Sequence, residues 1–319
     1  MVDWQSPEVI ELTMAAFART MYFLLGVFLW YLILSFRKVE LGLLLRRVTF
    51  QAAHVPYLFA RYLHLTTLVT IISTTPMGRS PPTSAATSCS GIGSMRLVSI
   101  SGDVALAAAT CNLAVRAIAL WRHNTTVSYF LGGLCLAHCC YAFILGLAGV
   151  TVLWDTRHTY CTIGVSQHAR LALLFFYIFT IFWGLAILVM TVLGIRRNEL
   201  LKDSPLSGAL FTQCVGYVVT TIVTCVPMGV MSFLPLNQVM NVFLLPAGYM
   251  VCVIASSASV TSLLELRPQP DRALTRLLDH FPVDQEASSN QLVKEESNVL
   301  STIVHLPRSS LTSDFVPGV

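Results

Sequence analysis

The sequence predicts an all-α polytopic bundle of seven membrane-spanning helices, with the N-terminus outside and the C-terminus in the cytosol. Three observations predict it. Hydrophobic residues make up 55% of the 319 residues and charged residues 11%, where a soluble domain carries about 25% charged residues. The apolar residues gather into seven runs, each near the roughly 20 residues that cross about 30 Å of hydrocarbon. Basic residues fall mostly in alternate loops, which sets the orientation.

The spans are expected at 15–36, 54–75, 98–121, 127–152, 171–195, 208–234 and 238–263. Ahead of the first, "MVDWQSPEVIELT" holds Asp3, Glu8 and Glu11 and no basic residue. A secretory signal would begin with a positive region, so the first run is expected to stay in the mature chain. The third run is the least apolar, because Asp103 and Arg116 fall inside it. The fourth and fifth contain no formally charged residue. Pro227 and Gly229 interrupt the sixth, and Pro246 and Gly248 interrupt the seventh, so Pro227 and Pro246 are candidate kinks.

The first, third and fifth loops carry Arg37, Lys38, Arg46, Arg47, Arg122, Arg196, Arg197 and Lys202. The opposite face carries Arg79, Arg96, Arg157 and Arg170. By the positive-inside rule the first set is cytosolic. The sequon Asn124-Thr125-Thr126 then lies on the cytosolic side, where it reads as a chance match at a helix start.

Residues 1–263 therefore form one transmembrane domain. Over 264–283, Leu274, Leu277, Leu278 and Phe281 recur at helical steps with Arg272 and Arg276 between them, as in an interfacial amphipathic helix. Residues 284–319 are serine-rich without an apolar period and read as a disordered cytosolic tail. In the first loop, Leu41, Leu44, Leu45 and Val48 share a helical face beside paired basic residues, which suits anionic lipid headgroups.

Ionisable groups in hydrocarbon are costly and often mark function. Arg19, Arg61 and Arg116 lie near span ends, where long side chains snorkel to the headgroups. His64, Asp103 and His138 fall on three successive spans and form a candidate intramembrane polar site. Depth argues against one cluster, since Asp103 lies near the outer end of its span and both histidines nearer the middle. Separate, satisfied contacts between helices are the competing reading.

Catalysis has no visible support. The last two spans hold no His, Asp or Glu to complete a zinc-ligand set. Neither a Gly-x-Ser-x-Gly elbow nor a phosphate-binding glycine loop is present. The lysines, Lys38, Lys202 and Lys294, all lie outside the spans, so a retinal Schiff base is excluded. No cofactor or metal is expected. The net charge of +4 is scattered rather than patched, which argues against nucleic acid. The bilayer is the expected partner, in the plasma membrane or another secretory-pathway membrane.

Seven spans with an outer N-terminus outline a receptor. Pro246 and Tyr249 stand at Pro-x-x-Tyr spacing in the seventh span, but the acidic-Arg-Tyr triplet of receptors is missing after the third. A receptor-like sensor of an extracellular ligand, with a cytosolic signalling partner, is the leading reading. A small-solute or ion transporter and a structural membrane protein are its alternatives.

The stretch "FRKVELGLLLRRVTFQAAHVPYLFARYLHLTTLV", through Glu40, Arg46, Arg47, Tyr57, Arg61 and Tyr62, resembles the opening of a group of multi-pass membrane proteins of basidiomycete fungi. "NLAVRAIALW", through Asn112, Arg116 and Trp121, is similar to that group's third span. "LPLNQVMNVFLLPA", through Asn237, Met240, Asn241 and Pro246, is similar to its last. The resemblance implies a seven-span, receptor-like bundle and brings no ligand or reaction. The group passes from a Thr-Thr-Pro stretch through a short loop with a cysteine into the third span. Here "STTPM" is followed by a longer Ser/Pro-rich insert over 78–97, a departure that points to either a genuine loop or a gene-model error.

Of nine cysteines, Cys111, Cys135, Cys139, Cys140, Cys214, Cys225 and Cys252 lie in spans and read as packing residues. Cys89 and Cys161 lie in loops on the predicted outer face, which is oxidising, and form a candidate disulfide.

Overall fold

In the computed structural model the described residues are 4, 6–36, 39–41, 45, 54–74, 92–121, 124–148, 151–155, 160–164, 167–197, 205–234 and 236–266. They form α1 (Pro7–Phe36), α2 (His54–Thr74), α3 (Ile92–Leu120), α4 (Thr125–Ala148), β1 (Thr151–Asp155), β2 (Tyr160–Gly164), α5 (Gln167–Arg197), α6 (Pro205–Phe233), α7 (Gln238–Val242) and α8 (Leu245–Leu266). Among the described residues seven segments are long and apolar enough to cross a membrane, the last being α7 and α8 together. The expected interfacial helix beyond residue 266, where α8 ends, and the tail lie outside the described residues, as do most of the first loop and residues 75–91.

Most helices are apolar on their outward faces. Phe23, Trp30, Leu136, Phe182 and Val223 are all more than 60% exposed. Such surfaces would associate in water, and only lipid leaves them without cost. The buried faces combine apolar clusters, such as Met21, Phe28 and Leu68, with small and polar groups such as Ala105, Ser256 and Thr110, and the latter let helices pack closely in hydrocarbon.

The third span, least apolar by sequence, is the centre of the bundle. Of its most apolar stretch 72% is buried, against 22–44% for the other six spans. Helix α3 packs against α2, α4, α5 and α8. Its Ala105, Ala107, Ala108, Ala109, Ala114 and Ala117 are buried, and their small side chains let those neighbours approach. At Gly146 of α4 an added Cβ would lie 2.6 Å from the Ile100 Cα, so α3 and α4 touch backbone to backbone there.

The seventh span is broken, as its proline predicts. Asn237 caps α7 by accepting a 2.8 Å bond from the Met240 N–H, and a turn at Phe243–Leu244 precedes α8. Pro246 sits in the first turn of α8, where its missing N–H removes no intrahelical bond. Pro227, by contrast, lies inside a continuous α6.

One element was not expected. Residues 151–152, assigned by sequence to the fourth span, begin a hairpin in which β1 pairs antiparallel with β2, from Thr151 opposite Gly164 to Asp155 opposite Tyr160. "TVLWD" and "YCTIG" are rich in β-branched and aromatic residues that favour strands, while the apolar run hides the change of period.

Candidate functional site

The inward polar groups gather into distinct sites rather than one. The largest surrounds Arg61. Its guanidinium is fully buried and pairs with Glu40 at 2.8 Å. It also donates to the Tyr57 hydroxyl, to Ser35 Oγ and, at 3.5 Å, to the Leu32 carbonyl. The Tyr62 hydroxyl donates to the other Glu40 oxygen at 2.8 Å, and the Tyr31 and Tyr57 rings lie 5.7 and 5.1 Å from the guanidinium carbon. Snorkelling is thus the wrong account of Arg61. The helix turns its side chain into the bundle, where Glu40 neutralises it. A sequence signal existed: Glu40 is the sole carboxylate between Glu11 and Asp103, and Tyr57 stands one helical turn before Arg61.

Arg116 also turns inward. It donates to Gln213 Oε1 at 3.1 Å and to Ser259 Oγ, and Gln213 Nε2 donates to Ser262 at 2.8 Å. This network joins α3, α6 and α8. Arg19 alone of the three is exposed, in keeping with snorkelling.

The proposed trio His64, Asp103 and His138 is not assembled. Asp103 is buried on α3 and accepts a 2.5 Å bond from the Tyr249 hydroxyl of α8. Tyr249 in turn lies 3.1 Å from the Tyr177 hydroxyl of α5. His138 Nε2 lies 3.2 Å from Thr180 Oγ1, with the rings of Phe176 and Phe179 alongside. His64 is fully buried against the edge of Phe28, centroids 4.9 Å apart, and neither ring nitrogen has a hydrogen-bond partner among the described residues. Separate contacts hold for Asp103 and His138, whereas His64 departs from the expectation that each would be satisfied.

Below the Asp103 chain, Asn112 donates to Ser256 Oγ at 3.1 Å, and Ser256 donates to the Ala109 carbonyl at 2.8 Å. The Thr110 and Tyr217 hydroxyls are 3.2 Å apart. The pairs Asp103–Tyr249, Asn112–Ser256 and Arg116–Ser259 ascend together in sequence, so α3 and α8 run parallel along a polar seam. Such a seam opposes sliding, because a shift unmakes each bond where no water can replace it.

Between α5 and α6 lies an apolar groove of about 320 Å³ lined by Leu174, Tyr177, Ile181, Val226, Gly229 and Phe233. It adjoins the candidate kink at Pro227, and Tyr177, a member of the Asp103 chain, is part of its lining. Gly229 suits this approach, since an added Cβ would stand 3.2 Å from Leu174 Cδ1 and press that side chain aside by a few tenths of an ångström.

The cysteines correct a second expectation. Cys111 of α3 and Cys135 of α4 form a disulfide with Cα atoms 5.8 Å apart, so they are not simply packing residues. Cys139, Cys140, Cys214, Cys225 and Cys252 are free. The Cys89–Cys161 pairing lies outside the described residues, for Cys89 is not described and Cys161 is described in its backbone alone. Among the described residues no group of three His, Cys, Asp or Glu is placed to hold a metal.

Seven apolar spans among the described residues, joined by buried polar contacts within a largely apolar core, define a multi-pass helical membrane protein. No family model matches this chain, and no curated protein matches it.

Proposed function

We propose that the protein is a receptor-like sensor of a plasma or other secretory-pathway membrane, binding its ligand from the outer face. The Asp103–Tyr249–Tyr177 chain carries this reading. It ties α3, α8 and α5 together toward the ends of α3 and α8 opposite Arg116. Basic Arg196 and Arg197 sit on the last turn of α5, which favours that side as cytosolic and the Asp103 side as outer. A ligand that takes the Tyr249 hydroxyl from Asp103 frees α8 to tilt about its break at Phe243–Leu244. The tilt reaches the cytosolic side through Ser259, Gln213 and Arg116, where residues 196–204 would meet a partner. Proximity labelling from the C-terminus in cells should mark a cytosolic partner that Asp103→Asn loses; identical labelling for the two proteins would sink this route.

A proton- or ion-coupled transporter is the second reading. It is favoured by a buried Asp103 that no cation pairs with among the described residues, and by unpartnered His64. Purified protein in sealed vesicles distinguishes the two. Gradient-driven flux that Asp103→Asn abolishes would establish transport and remove the sensor reading.

A further inference from the structure

Three cysteines converge where α3 meets α4. Cys135 and Cys139 lie four residues apart, on one face of α4. Both approach Cys111, the first through the disulfide and the second with sulfurs 3.6 Å apart. Cys111 is buried, whereas Cys139 is only half-buried. Cys139 also lines a second groove, of about 340 Å³, with Val104, Cys140, Phe143 and Ile144. Phe143 and Ile144 are exposed on the apolar outer surface, so the groove opens toward lipid and a lipid-soluble reagent can reach the free thiol.

We propose that Cys111, Cys135 and Cys139 form an intramembrane thiol–disulfide exchange site, with Cys111 as the shared sulfur and Cys139 as the thiol open to lipid-soluble electrophiles. In the exchange the Cys139 sulfur, as thiolate, attacks Cys111 Sγ. The Cys111–Cys139 bond forms, the Cys111–Cys135 bond breaks, and its electron pair leaves on Cys135 Sγ. The proton lost from Cys139 ends on Cys135. One disulfide and one thiol remain, so no oxidant or reductant is consumed.

The link thereby moves one turn along α4, about 6 Å at 1.5 Å per residue. Neighbouring Thr110 and Asn112 hold Tyr217 and Ser256, so the move bears on the seam between α3 and its partners. This inference concerns a separate chemistry and does not depend on the sensor reading.

The test uses full-length protein in lipid nanodiscs treated with N-ethylmaleimide, then denatured without reduction and sequenced by fragmentation mass spectrometry. Exchange predicts two wild-type species: Cys139 capped with Cys111–Cys135 linked, and Cys135 capped with Cys111–Cys139 linked. The Cys135→Ser variant should carry the Cys111–Cys139 bond, and Cys139→Ser the Cys111–Cys135 bond. If wild type yields only the Cys139-capped species, the disulfide is fixed and the exchange is refuted. Alkylation of all three thiols in wild type would remove the disulfide itself. These wild-type results decide the matter even if a variant fails to fold.

Discussion

At Arg61 a formal charge lies deep among helices, and its cost is met by a carboxylate, two hydroxyls and a carbonyl. Removing one member of a buried pair leaves the other uncompensated, at about 3–5 kcal/mol. Glu40→Gln is therefore expected to lower the unfolding free energy by about that amount in detergent denaturation. A loss below about 0.5 kcal/mol would place the pair in contact with water. Tyr62→Phe removes a single donor to the same carboxylate and should cost about 1–3 kcal/mol. His64 offers a contrast. Its nitrogens bond nothing among the described residues, so His64→Phe should be neutral or stabilising in the same assay, because an unpaired polar group leaves the core. A clear destabilisation would show that His64 has a partner in the membrane.

Helix α3, whose hydropathy is lowered by two charged residues, is the most buried of the spans. Its Asp103 and Arg116 lowered its hydropathy because they face neighbouring helices rather than lipid. Hydropathy averages over a helix and is blind to which face is buried. The hairpin was missed for a related reason, since a short apolar run suits a strand as well as a helix end. The alanine-rich face of α3 makes packing against it intolerant of added volume. Gly146→Val should therefore push α4 from α3 and destabilise the bundle by about 1–3 kcal/mol or more. Gly26→Ala on α1, where a Cβ meets nothing within 4 Å, serves as the neutral control. Equal melting temperatures for the two variants would mean that α3 and α4 are not in backbone contact.

Across the whole molecule, the basic residues predict an orientation, and Asn124 tests it. Its side chain accepts from the Val127 N–H at 3.4 Å, as a cap at the start of α4, on the side that the charge pattern makes cytosolic. Glycosidase treatment should leave the protein's electrophoretic mobility unchanged. A downward shift that Asn124→Gln abolishes would invert the topology.

The sequence by itself determined the membrane class, the number of spans and the break near Pro246, because apolar length and backbone chemistry are local properties. Only the tertiary structure decided that Glu40 meets Arg61, that Asp103 meets Tyr249 while His64 stands apart, and that Cys111 binds Cys135 with Cys139 beside it. Those pairings depend on how each helix is rotated and how deep it lies against its neighbours, and residue spacing along one chain carries neither.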